Sequence, residues 1–325
     1  MKIRQVLEAL ERFAPLPLQE SWDNAGLQIG LTEAEVSGAL LCLDVTEAII
    51  DEAVSRGCNL VVSHHPLLFH GLKQIAGGDY VQRTVMKAIK ADVAVVSMHT
   101  NMDSARGGVN FKIAERLGLL EACFGPDFGT DFGTDFGGRT AERDRNEGDG
   151  GPGGNGAERD RNDGDGAERD RYGESEGGNG GDEGGNGGRT AEHSGGAEKG
   201  QWVMGVLPQP MEARAFIEMV KERMEAPCAM CNEMLRRPIR TVAICGGAGD
   251  FLVDEAIGQG ADAFITGEMH YHQYFGREQQ VQLCVIGHYE SEHFTAEVFR
   301  DIINRECPGV RTEIALTNTN PVLYF

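Results

Sequence analysis

Apolar residues along this chain keep two kinds of spacing, and the two kinds take turns. Segments 3–13 (IRQVLEALERF), 46–57, 80–91, 107–118, 211–224, 250–260 and 291–307 repeat apolar positions every three to four residues, the period of one helix face. Between them lie short apolar runs: 38–44 (GALLCLD), 59–63 (NLVVS), 93–98 (VAVVSM), 201–207 (QWVMGVL), 239–246 (IRTVAICG), 261–266 (ADAFIT) and 282–287 (QLCVIG). These runs are too short for helices and alternate little, as strands buried on both faces do. Strands taking turns with helices predict an α/β fold with mixed, largely parallel sheets flanked by helices.

One stretch breaks the pattern. Residues 126–200 hold 24 Gly, 19 Asp and Glu, and 9 Lys and Arg, a local net charge of −10 out of −21 for the whole chain. The tract repeats DFGT and DFGG at 127–138 and AERDR at 141, 157 and 167, but at unequal spacings. A solenoid would need a fixed period and a buried face. The tract has too little apolar surface to offset the entropy of ordering, so it predicts a disordered acidic linker between two folded parts.

The acidic balance argues against nucleic acid or an anionic membrane as the main partner. Glu8 and Glu11 interrupt the N-terminal apolar run, and no segment reaches the length of a membrane span. Several of the eight cysteines sit inside apolar runs and read as buried thiols in a reducing, cytoplasmic setting.

Candidate chemistry stands at the carboxyl ends of the predicted strands, where open α/β sheets bind ligands. His64 and His65 follow NLVVS, and His99 and Asp103 follow VAVVSM. Glu268, His270 and His272 follow ADAFIT, and His288 and Glu292 follow QLCVIG. Imidazole and carboxylate together suit zinc, manganese, iron or nickel. Adjacent histidines on an extended segment point apart, which fits two metal ions better than one, and Asp103 or Glu292 can bridge them. Two such ions, roughly 3.5–4 Å apart, can share a water and polarise an electrophile. His288 and Glu292 share a helix face if a helix begins by residue 288.

Other motifs carry weaker signals. CGGAGD (245–250) reads as a tight turn with Asp250 as a helix N-cap; it lacks the pattern of a phosphate-binding loop. Cys228 and Cys231 form a single CxxC, half of what a structural zinc needs. Trp22, Asp23 and Asn24 form a turn that either lines a cavity or packs.

The segments SWDNAGLQIG (21–30), LCLDVT (41–46), VSHHPLLF (62–69), HTNMDSARGGVN (99–110), GVLPQPM (205–211), 242–272, GHYESE (287–292) and TNPVLYF (319–325) together resemble the Nif-three-like family, also catalogued as GTP cyclohydrolase 1 type 2 homologues. The resemblance spans both folded parts. It implies two α/β domains, the first over 1–125 completed by about 285–325 and the second over 201–284. It implies two divalent metal ions held by His64, His65, Asp103, His288 and Glu292, with His99 close by, in a ring-like homohexamer. Some members carry a folded domain where this chain has its acidic repeats.

Two functions follow as expectations. The first is a metal-dependent hydrolase acting on a nucleotide, with GTP ring opening implied by the family name and His99 or His272 as general acid or base. The second is a non-enzymatic hexameric scaffold that binds or delivers metal.

Overall fold

The computed structural model describes residues 1–128 and 200–325; the expected linker lies outside them apart from its edges, 126–128 and 200. The first part runs α1 (Ile3–Phe13), β1 (Gly26–Ile29), β2 (Ala39–Cys42), α2 (Glu47–Ser55), β3 (Leu60–Ser63), α3 (Tyr80–Lys90), β4 (Ala94–Ser97), α4 (Thr100–Asp103), α5 (Val109–Arg116) and β5 (Leu120–Phe124). The second runs β6 (Val203–Met211), α6 (Ala213–Arg223), β7 (Met230–Cys231), β8 (Ile239–Ala248), α7 (Val253–Gly258), β9 (Ala263–Glu268), β10 (Gln282–Val285), α8 (His288–Glu292), α9 (Thr295–Glu306) and β11 (Thr312–Ile314).

Local chemistry sets several of these boundaries. The helix α1 buries Ile3, Val6, Ala9 and Leu10, one face at helical spacing. Thr46 caps α2 by accepting a hydrogen bond from the Ile49 amide (3.3 Å), and Asp79 caps α3 by accepting from that of Gln82 (2.8 Å).

Two mixed sheets result. The first has the order β1-β4-β3-β2-β11, with β1 antiparallel at one edge and the other four strands parallel. The second has the order β5-β6-β8-β9-β10-β7, with β8, β9 and β10 parallel. Alternation then distributes the core. Leu41, Val62 and Val96 join one large cluster with α1, α9 and the Val242–Ile244–Ile265 face of the second sheet. Leu40, Val61 and Val95 turn the other way, toward α2 and α3. Ala243, Cys245 and Phe264 meet Trp202 and α7 on the far face of the second sheet. Central strands are thus buried on both sides, which is why they read as unbroken apolar runs.

The four strands that the apolar pattern does not announce, β1, β5, β7 and β11, are the outer strands of the two sheets. They are short or partly exposed and carry no continuous apolar run. The CxxC is split by this edge: Cys228 is exposed, while Cys231 lies on β7 opposite Cys284 of β10. All eight cysteines are free thiols. No described helix is long and apolar enough to cross a membrane.

Candidate metal centre

The carboxyl ends of parallel strands from both sheets deliver side chains to one place. His64 and His65 leave β3, His99 and Asp103 leave β4 through α4, and His288 and Glu292 lie on α8 just past β10. The helix α8 begins at His288, so His288 and Glu292 share a face, with Nε2 and Oε2 3.0 Å apart. The chain bends at His64–His65 instead of staying extended, because both amides bond the Leu43 carbonyl (3.1 and 3.0 Å). The two rings therefore face the same cluster, with centroids 5.0 Å apart, where an extended segment would send them to opposite sides.

Glu292 stands between them. Its Oε1 faces His64 Nε2 (3.8 Å), which also faces Asp103 Oδ1 (3.6 Å). Its Oε2 faces His65 Nε2 and His288 Nε2, both at 3.0 Å. Two sets of three donors result, His64–Asp103–Glu292 and His65–His288–Glu292, each within 4.8 Å internally; His99 closes a third set with His64 and His65.

Each of the four rings is oriented through Nδ1. His64 donates to the Met98 carbonyl (2.9 Å), His65 to Asp44 (2.7 Å), His99 to Asp23 (2.8 Å) and His288 to Glu268 (2.8 Å). All four partners are acceptors, so Nδ1 carries the proton and each neutral ring keeps a bare lone pair on Nε2. Such backing by carbonyl or carboxylate is the usual support of a metal-ligating histidine. Asp44 and Asp23 are residues to which the strand-end reading gave no role; their only sequence signal is position just past β2 and in the Trp22–Asn24 turn.

The electrostatics point the same way. Burial lowers His64 to about 4, outweighing the pull of Glu292, so its ring is neutral at pH 7. Its Nε2 is buried with no hydrogen-bond partner and faces the Asp103 and Glu292 carboxylates. An uncompensated buried acceptor is costly, and a cation placed among these lone pairs would remove the cost. Burial opposes charge on His65, but its bonds to Asp44 and Glu292 push it up to about 10. His288 rises to about 9, against its burial, through Glu292 and then Glu268. Burial and neighbouring Glu292 push Asp103 up, whereas His288, His64 and His65 hold Glu292 down despite its burial. In the bare protein, protons on imidazole balance the carboxylates; a divalent cation can take their place. Cys245 stands nearby, but burial beside Asp103 and Glu292 pushes its thiol up, so the donor set is nitrogen and oxygen.

The glycine-rich segment serves this cluster. Gly247 has φ +61°, and a Cβ there would run into the Glu292 carboxylate. Its amide donates to Ser291 Oγ (3.0 Å), that of Gly246 to Asn110 Oδ1 (2.8 Å) and that of Gly249 to Thr266 Oγ1 (3.0 Å). These amides are used inside the protein and form no phosphate cradle. Asp250 is not a side-chain N-cap: its carboxylate accepts from the backbone and ring of His270.

The remaining described histidines stand elsewhere. His272 is exposed on a turn beside Tyr271 and Phe275, and the fold does not bring it to the other six predicted residues. His70 is exposed beside Phe69, and His293 stacks on Tyr289. Among the described residues, cavities open onto the cluster on two sides. One of about 620 Å³ touches His65 and His288, and one of about 310 Å³ touches His99, Asp103, His288 and Glu292.

Known proteins resemble this chain in sequence and in fold. The sequence profile of the Duf34/NIF3 (NGG1p interacting factor 3) family matches residues 1–321. A protein named GTP cyclohydrolase 1 type 2 homolog from Staphylococcus aureus is 26% identical, covering 100% of both chains. One of the same name from Clostridium acetobutylicum is 25% identical, covering 90% of this chain and 85% of its own. The fold matches the crystal structure of a hypothetical protein from Staphylococcus aureus with a TM-score of 0.74 at 23% identity, covering 100% of this chain and 99% of the other. It matches that of a Bacillus cereus protein related to NIF3 with a TM-score of 0.73 at 21% identity and the same coverage.

Proposed function

The chain belongs to the Duf34/NIF3 family, and from that premise we propose that its cluster is a two-metal centre for hydrolysis. The observation that carries the reading is Glu292, whose two carboxylate oxygens each face a separate nitrogen–oxygen set. In this reading His64, Asp103 and Glu292 would hold one divalent ion, and His65, His288 and Glu292 the other. The ions, of zinc, manganese, iron or nickel type, would supply Lewis acidity to water and to an electrophilic carbon or phosphorus.

The chain's own groups do the rest. Asp44, Glu268 and the Met98 carbonyl fix ring orientation, so the donors need little rearrangement. His99 is the proton carrier. Its Nδ1–H is held by Asp23, which His99 and Thr100 keep ionised, at about 2, against its burial. That leaves Nε2 to accept a proton at the cluster and return it to a leaving group. Of the two carriers expected, the proposal assigns the role to His99, which stands at the cluster, rather than to the exposed His272.

The relatives' name makes guanine ring opening, by attack at C8, the first reaction to try. Homohexameric assembly and a cytoplasmic setting belong to the same proposal; the free thiols support the second. The test is metal-loaded protein incubated with GTP and with guanosine, following loss of guanine absorbance, beside a His99→Ala variant. Turnover that His99→Ala abolishes at unchanged metal content is the expected result. No turnover with any divalent metal, while two ions stay bound, would leave the non-enzymatic metal scaffold in its place.

A further inference from the structure

Three large aromatic side chains line the smaller cavity and stay unburied. Trp22, Phe69 and Phe251 are 58%, 40% and 62% exposed. Single exposed aromatics are ordinary, but three gathered on one cavity beside a cluster of histidines make a surface with a use. The Trp22 and Phe69 rings lie 5.8 Å apart, and each lies within about 6 Å of the His99 ring, at 6.1 and 6.3 Å.

This wall is built, not incidental. Asp23, next to Trp22, is tied to His99 and to the Thr100 amide and hydroxyl. Asn24 donates to the Leu68 carbonyl (2.7 Å), and Gln28 accepts from the Leu68 amide (3.1 Å), which locks the turn of Trp22 to the loop of Phe69. The platform and the proton carrier therefore share one brace.

Charge narrows what fits. No Lys or Arg is among the described residues lining either cavity, while Glu20, Asp103 and Glu292 line the smaller one and Asp44, Glu268 and Glu290 the larger. A triphosphate would meet carboxylates and, in the bare chain, only imidazolium rings already paired with Glu292, Glu268 and Asp250, whereas a neutral ring with N–H groups would meet acceptors in Gln201 and in Glu20, the carboxylate to which Gln201 Nε2 donates. A volume of about 310 Å³ is at the small end of ligand cavities.

We infer that this cavity binds the ring of a planar, nitrogen-rich heteroaromatic against Trp22, Phe69 and Phe251, and that it takes a nucleobase or nucleoside in preference to a nucleoside triphosphate. The inference rests on the hydrolytic reading for its chemistry but not for its binding, which the aromatic wall supplies without metal. It places the reacting ring, and not the phosphates, at the centre of recognition.

Binding of guanosine and of GTP to the full chain, freed of metal by a chelator, tests this directly. Calorimetry gives the affinities, and tryptophan emission reports contact, because Trp22 is exposed while Trp202 is 2% exposed. Guanosine is expected to quench the emission and to bind roughly tenfold more tightly than GTP. Trp22→Ala should weaken guanosine by about fivefold or more, the usual loss of a base–aromatic stack. Trp22→Phe should keep the affinity and lose the quenching. GTP binding as tightly as guanosine, an affinity indifferent to Trp22→Ala, or no binding of guanosine would each overturn the inference. Metal uptake by the same protein after reloading separates the two proposals. Two ions bound without guanosine binding leaves the metal centre and removes the ligand; guanosine binding in a chain that takes up no metal does the reverse.

Discussion

The two halves of the cluster meet at one carboxylate but stand in different surroundings. His64 is fully buried and is braced by a backbone carbonyl, that of Met98. The side chains of His65 and His288 are 23% and 37% exposed and are braced by the carboxylates of Asp44 and Glu268. Burial keeps His64 neutral, whereas the surrounding carboxylates make His65 and His288 hold protons in the bare chain. The first half is set by strand geometry and has an orphaned nitrogen that a cation would satisfy. The second is tuned by replaceable side chains and, in the bare chain, holds protons where a cation would sit.

The largest effect that this contrast predicts falls on what the halves share. Glu292→Gln should lose both ions, seen as metal content falling from about two per chain toward none; one ion retained at full affinity would show that the halves do not share Glu292. Asp103→Asn and His288→Ala should each leave about one ion per chain, from opposite halves. If either variant emptied both, the halves would be a single cooperative unit and the contrast would fail.

The supporting residues should act on one half. Asp44→Asn or Glu268→Gln is expected to weaken one of the two ions by about 10–100-fold in chelator competition and to leave the other unchanged. Equal weakening of both would break the comparison.

A pH dependence follows with opposite signs. In chelator-treated protein, His65 and His288, raised from 6.5 to about 10 and about 9, contribute stability that is complete below about 6.5 and lost as pH rises through 9 to 10. Asp103, pushed up, loses stability as pH rises above its ordinary value of 3.8. His64, lowered to about 4, costs nothing above 6.5 and destabilises as pH falls from about 6.5 toward 4. The melting temperature of the bare chain should therefore peak near neutrality, and metal loading should flatten the alkaline side. A bare chain that gained stability up to pH 10 would contradict the assignment. The smallest effect concerns Thr319, whose hydroxyl donates to Asp44 Oδ2 (2.7 Å). Thr319→Val should weaken the Asp44-braced half by about two- to tenfold, the worth of one hydrogen bond.

The same contrast explains what was legible in the sequence. Buried central strands announce themselves by unbroken apolar runs, and the ligand-type residues follow those runs directly, so position gathered His64, His65, Asp103, His288 and Glu292 within a wider set, from which the family resemblance singled them out. Edge strands such as β7 and β11 pack one side only and left no such signature. The divergence expected of His64 and His65 did not appear, because the bend after β3 depends on Leu43, a contact across the sheet that spacing does not encode. Asp44 and Asp23 went unassigned for a similar reason: a supporting carboxylate is an ordinary loop aspartate until the ring it holds is placed beside it.

The central claim is that Glu292 lies between two ions, and anomalous diffraction from crystals of the full chain loaded with zinc or manganese tests it most directly. Two peaks roughly 3.5–4 Å apart are expected, one beside His64 and Asp103 and the other beside His65 and His288, with one Glu292 oxygen on each. A single peak, or two peaks on the same side of Glu292, would contradict it.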